Sequence, residues 1–236
     1  MKPQLSILMV TGVLTLNSAI AADLPPIQAG DTPEPACEPN VIPPGKGPVK
    51  ITPTLDRIEV KQGGQKTLIT RNPDNSHTIT GNFAKTSRPC PPFCLQPGSI
   101  AAGVDTIGEL EVLDALKRMH SGAKDILVID ARLPAWTARG TIPGSLNIPW
   151  INFDATRSDP FTVSDTLEKQ LGVLEQEGLW NFSEAKTLVI FCNGAWCSQS
   201  PGAIRALLKL GYPADKIKWY RGGLQDWQML GLTVVK

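Results

Sequence analysis

Two stretches constrain the fold of this chain more than anything else in it. Ile126-Leu-Val-Ile-Asp130 and Thr187-Leu-Val-Ile-Phe191 are short, rich in β-branched residues and apolar without alternation. A strand with one wet face alternates apolar and polar residues, whereas a continuous apolar run must be covered on both sides, as in a parallel sheet between two layers of helices. The surrounding residues supply those helices. Leu110, Leu113, Leu116 and Met119 recur at helical spacing, and Thr106 with Glu109 reads as a capping box, so a helix is expected over Thr106 to Gly122. Asp165 with Glu168 opens another over Asp165 to Gln176, Gln199 to Leu210 gives a third ended by Gly211, and Leu224 to Leu230 a last one. Leu146 to Ile148 and Ile217 to Tyr220 are shorter strand candidates. The expected fold class over residues 101–236 is therefore α/β, a parallel sheet with helices on both faces.

The preceding region has a different texture. Fourteen of the 21 prolines lie between Leu24 and Pro97, a density that ladders and helices tolerate poorly. Residues 22–100 read as a proline-rich extension, irregular from Asp23 to about Pro48. Arg57 to Lys61 and Gln65 to Arg71 flank Gly63-Gly64 as a hairpin, with His77 to Thr80 as a possible third strand.

Residues 1–21 have the pattern of a secretory leader. Lys2 gives a positive start, Leu5 to Leu16 an apolar run, and Ala19-Ile20-Ala21 a small-x-small cleavage site, with the cut expected after Ala21. A membrane anchor is the alternative, but about 12 apolar residues at ~1.5 Å each fall well short of a ~30 Å hydrocarbon core. Export to a periplasm or beyond is expected, without stable membrane insertion. Basic residues number 23 and acidic ones 22, so no overall field exists to draw in nucleic acid or an anionic surface. The oligomeric state is not legible.

An oxidising compartment changes what cysteines mean. The chain has Cys37, Cys90, Cys94, Cys192 and Cys197, and an odd number leaves at least one free thiol or an intermolecular bond. Cys90-Pro-Pro-Phe-Cys94 admits a metal knuckle, a redox pair, or a cystine that fastens the strap to itself or to Cys37. The spacing is wrong for structural zinc and the only histidines are His77 and His120, so the cystine is favoured and no metal is expected. Both histidines read as solvated surface.

Cys192 follows the most apolar strand, where ligands of such sheets bind. Asn193, Gly194, Ala195, Trp196, Cys197 and Ser198 then lead into a helix. Backbone N–H groups of this turn lack helical partners, and with the positive helix end they favour an anion and lower the pKa of a thiol at their centre. A buried, inert small hydrophobe is the competing reading of Cys192.

From about Val104 to Val235 the sequence resembles a single rhodanese domain, the fold of thiosulfate and related sulfurtransferases. Leu127-Val-Ile-Asp130-Ala-Arg132 resembles the family's strand ending in D-x-R. Gly140-Thr-Ile-Pro-Gly-Ser-Leu-Asn-Ile-Pro149 resembles its G-H-I-P-G-A-x-N-I-P segment, with Thr141 in the histidine's place. Val189-Ile-Phe-Cys192 matches the strand into the catalytic cysteine, and Tyr220-Arg-Gly-Gly-Leu-Gln-Asp-Trp227 the closing G-G-x-x-x-W element. The resemblance implies that Cys192 takes a sulfane sulfur from a small anion or a protein persulfide, and passes it to a thiol or other acceptor without a metal or organic cofactor. Asp130 and Arg132 read as a structural ion pair.

The loop departs from the family's C-x-x-G-x-R: Ala195 stands where glycine is usual and Cys197 where a cation is usual. Arg221 could substitute for that charge or simply face solvent. A second thiol also opens another cycle, in which Cys197 attacks a Cys192 persulfide or mixed disulfide and leaves a Cys192–Cys197 disulfide. A non-catalytic binding module is a further alternative. Phosphatase chemistry would need arginine where Ser198 stands, and no histidine is placed to serve as a hydrolase base.

Overall fold

The structure is a computed structural model and describes residues 48–236. The expected leader and Cys37 lie outside the described residues.

Among the described residues nine strands and five α-helices follow in chain order. The strands are β1 (Arg57–Gln62), β2 (Gln65–Thr70), β3 (Asp105–Ile107), β4 (Ile126–Asp130), β5 (Leu146–Asn147), β6 (Leu174–Gln176), β7 (Leu179–Asn181), β8 (Thr187–Phe191) and β9 (Ile217–Tyr220). The helices are α1 (Glu109–His120), α2 (Pro134–Thr137), α3 (Pro160–Asp165), α4 (Gln199–Lys209) and α5 (Gly223–Met229). Five strands form one parallel sheet in the order β3-β9-β8-β4-β5. The apolar runs β4 and β8 lie side by side in its interior.

Their lack of alternation has the expected cause. Leu127, Ile129, Leu188 and Ile190 point into a core shared with Ala203, Ile204 and Leu207 of α4. Ile126, Val128, Val189 and Phe191 point the other way, onto Val112, Leu113 and Leu116 of α1 and Leu224 and Trp227 of α5. Ile58, Val60 and Ile69 of the hairpin join this second core. In its described part the proline-rich extension therefore does not stand apart from the α/β layers.

Four local expectations are corrected. Helix α1 begins at Glu109 rather than Thr106, because Asp105–Ile107 pairs with Lys218–Tyr220 as an edge strand. The capping carboxylate is Glu111, which accepts the Gly108 N–H at 3.0 Å. The helix expected over Asp165 to Gln176 starts earlier, where Asp159 accepts the Thr162 N–H at 2.9 Å ahead of Pro160. It gives way to the β6–β7 hairpin, whose turn residues Glu177 and Gly178 both take positive φ, 54° and 80°. His77 to Thr80 forms no strand, since Asn72 and Asp74 bend the chain by accepting backbone N–H groups two residues on. His120 is not simply solvated: Lys61 N–H donates to its Nδ1 at 3.2 Å, and Nε2–H donates to Gly144 O at 3.1 Å, tying the hairpin to the domain.

Candidate active site

Cys192 sits one residue past β8, at the carboxyl end of the sheet's central strand. Its loop is held from below by Arg132, which is 1% exposed and paired with Asp130 at 2.5 Å. The same guanidinium donates to Gly140 O at 2.7 Å and Asn193 Oδ1 at 3.1 Å. Thr141 donates to the Asp130 carboxylate at 2.7 Å, so the residue standing for the family's histidine completes this buried network. From the other side, the N–H groups of Leu224 and Gln225 donate to Cys192 O and Asn193 O at 3.0 and 2.9 Å. That approach requires Gly223, with φ +57°, because a Cβ there would lie 2.4 Å from Cys192 O.

Cys192 is 2% exposed and its sulfur is not in a disulfide. Burial by itself would raise its pKa. Hydrogen bonds from the Cys197 thiol and the Ser200 hydroxyl, and from the backbone N–H groups of Ser200 and Gly194, outweigh burial and bring it down to about 7. Cys197 is buried too, at 5% exposed, and burial together with the adjacent Cys192 sulfur pushes its thiol well above the ordinary range. The pair therefore gives up its first proton from Cys192, near neutral pH, while Cys197 keeps its hydrogen.

Ser200 lies 3.0 Å from the Cys192 sulfur, and the Trp219 indole N–H lies 3.1 Å from the same hydroxyl. An indole N–H only donates, so the Ser200 oxygen must accept it, and the hydroxyl hydrogen is directed at sulfur. Ser200 was not among the residues singled out in the sequence. Its place in the first turn of the helix that follows the loop was the available signal.

The loop is roofed by the proline-rich strap. Trp196, 8% exposed, packs with Cys192 and Cys197, while Phe83 and Phe93 close over this cluster. Phe93 meets the Trp196 ring edge to face at 5.6 Å, Arg88 stacks on it at 3.7 Å, and Gln225 accepts its indole N–H. Gln96 N–H donates to Ala195 O at 2.8 Å. Cys90 and Cys94 form a disulfide with each other within this strap. Arg221 is neither solvated nor aimed at the thiol, since its guanidinium donates to Pro97 O and Gln96 O at 2.9 and 2.8 Å. Ser198 is exposed and its side chain caps nothing.

A thiol of lowered pKa at the end of a parallel strand, in a loop closed by a helix start, defines a cysteine-centred α/β protein. The chain belongs to the rhodanese-like domain family, whose model matches residues 112–230. Among solved structures it is similar to the human single-domain sulfurtransferase, at 22% identity over 53% of this chain and 96% of that one, with a TM-score of 0.35. It is similar also to an As–Sb reductase from Leishmania major, at 26% identity over 54% and 79% of the two chains, with a TM-score of 0.36. A protein of unknown function from Rhodopseudomonas palustris, described as a possible tyrosine phosphatase, gives 21% identity over 58% and 88%, with a TM-score of 0.38. No curated protein matches the chain.

Proposed function

We propose that this protein is an exported sulfurtransferase in which Cys192 carries a sulfane sulfur as a persulfide. The observation that carries the reading is the Trp219–Ser200–Cys192 chain of hydrogen bonds, which holds a hydroxyl donor on a thiol whose pKa lies at about 7. An inert buried cysteine has no use for such a donor. With thiosulfate as donor, the Cys192 thiolate attacks the outer sulfur, the new S–S bond forms, and sulfite departs with the electron pair of the bond that breaks. The Gly194 and Ser200 N–H groups and the Ser200 hydroxyl then hold the anionic persulfide. An acceptor thiolate or other nucleophile removes the outer sulfur and regenerates Cys192. No metal or organic cofactor enters these steps. The partners are a small sulfur-containing anion or a protein persulfide or thiol.

Intact-mass measurement after incubation of the full chain with thiosulfate or polysulfide tests this. A gain of one sulfur atom is expected, absent in Cys192→Ser; a wild-type chain that gains none under either donor refutes the reading.

The contact between the Cys197 thiol and the Cys192 sulfur supports a second reading, a thiol–disulfide or sulfur-relay cycle. There Cys197 displaces hydrosulfide from the Cys192 persulfide and leaves a disulfide, and Cys197→Ser would keep the persulfide that the wild type loses.

A further inference from the structure

Between the strap and the loop lies a cavity of about 640 Å³, lined by Lys85, Arg88, the Cys90–Cys94 disulfide, Phe93, Leu95 and Trp196, with Gln225, Thr86 and Ser87 completing the wall. That volume falls in the range of small-molecule sites and is several times what an inorganic sulfur oxyanion fills. Among the described residues two cations and no carboxylate line it. Its aromatic and aliphatic walls suit a carbon body, and its charge suits an anion.

Arg88 marks where the charge would sit. Its Nη2 donates to Asn82 O and its guanidinium lies over Trp196, yet its Nε–H is buried with no partner among the described residues. A buried unpaired N–H is costly, so the guanidinium gains by leaving this position for an anion that offers it partners. Arg88 lies outside the part of the chain that the family model covers. It brings to the loop, from the strap, a cation that the loop itself lacks at Cys197.

We propose that this cavity binds an organic persulfide carrying a carboxylate, whose anionic group takes the Arg88 guanidinium off Trp196 and opens the way to Cys192. Trp196 is the partition: one side of it lines the cavity, and it packs with Cys192 and Cys197 in one buried cluster. Once it yields, the Cys192 thiolate attacks the outer sulfur of R–S–SH. The Cys192–sulfur bond forms, the R–S bond to that sulfur breaks, R–S⁻ leaves with the electron pair, and the hydrogen stays on the transferred sulfur. The inference rests on the reading of Cys192 as the sulfur acceptor.

The test uses S-methylglutathione, an unreactive organic anion, titrated calorimetrically into the full chain. Binding is expected in the wild type, weakened roughly tenfold in Arg88→Gln and largely retained in Arg88→Lys, with inorganic sulfate not competing at equal concentration. Absence of binding, equal binding by Arg88→Gln, or full competition by sulfate overturns the proposal. Bound probe should also change the rate at which iodoacetamide alkylates Cys192 in the wild type but not in Arg88→Gln. A Cys192 that resists iodoacetamide even in Trp196→Ala refutes the catalytic reading, while calorimetry still decides the site.

Discussion

Replacing Ser200 by alanine isolates one of the hydrogen bonds that lower the pKa of Cys192. The hydroxyl lies 3.0 Å from the sulfur of a buried cysteine, and Trp219 directs its hydrogen there. A hydrogen bond to a charged group contributes about 1.5–3 kcal/mol, equivalent to roughly 1–2 pKa units. The Cys192 pKa of about 7 should therefore rise to roughly 8–9 in Ser200→Ala. At pH 7 the thiolate fraction falls from about one half to between roughly a tenth and a hundredth, so alkylation slows about 5- to 50-fold. Above pH 10 the two proteins should react at similar rates. The assay is the pH profile of iodoacetamide alkylation of Cys192, followed by mass, with Ser200→Thr as the variant that keeps a hydroxyl. Ser200→Ala also leaves the Trp219 N–H unpaired in a buried site, which lowers stability by about 1–3 kcal/mol and is read separately by urea unfolding. An unshifted midpoint in a folded Ser200→Ala protein refutes the assignment of the hydroxyl to the thiolate.

Stability should depend on pH through the same pair. Cys192 is depressed in the folded state to about 7 from 9.0, so its contribution is fully present above pH ~9 and lost as pH falls through 7. Cys197 is raised, so its contribution is present below its unfolded value and declines at higher pH. Between pH 7 and 8.5 the Tm of the wild type, kept unoxidised, should therefore rise relative to Cys192→Ser; parallel curves would sink the assignment. Arg132→Ala strands the Asp130 carboxylate, 0% exposed, with the Thr141 and Thr137 hydroxyls as its remaining side-chain partners, and should cost about 3–5 kcal/mol in urea unfolding. A cost below about 1 kcal/mol would mean that the ion pair is not what braces the loop.

The sheet was legible because its evidence is local: β4 and β8 show their double burial in their own five residues, and β9 its place beside them. So was the position of Cys192, which follows from the end of an apolar run. The corrected elements share a cause, in that a distant partner or a turn decided them. Thr106 looks like a helix cap until Trp219 pairs with it, and Leu174 to Gln176 look helical until Glu177-Gly178 folds them back. What escaped at the site came from long range. Phe83, Arg88 and Phe93 are ordinary residues of a proline-rich segment, and nothing within that segment states that it closes over Trp196.

The loop's departure from its family and the presence of the strap are connected by charge. Where a cation would stabilise the thiolate and attract an anion together, Cys197 does only the first. Its thiol stays protonated well beyond neutral pH and donates to the Cys192 sulfur without adding charge. A second thiolate beside the first would be opposed by like charge in a buried setting, so the pair settles with one proton and one negative charge. Such a pair keeps its nucleophile ionised but repels the anionic sulfur compounds it would act upon. Arg132 beneath the loop is already neutralised by Asp130, so attraction must come from elsewhere, and Arg88 stands on the outer face of the tryptophan that shields the pair. Separating the two duties lets the thiolate remain sealed until a molecule bearing the right charge occupies the strap, a division that a single loop arginine cannot provide.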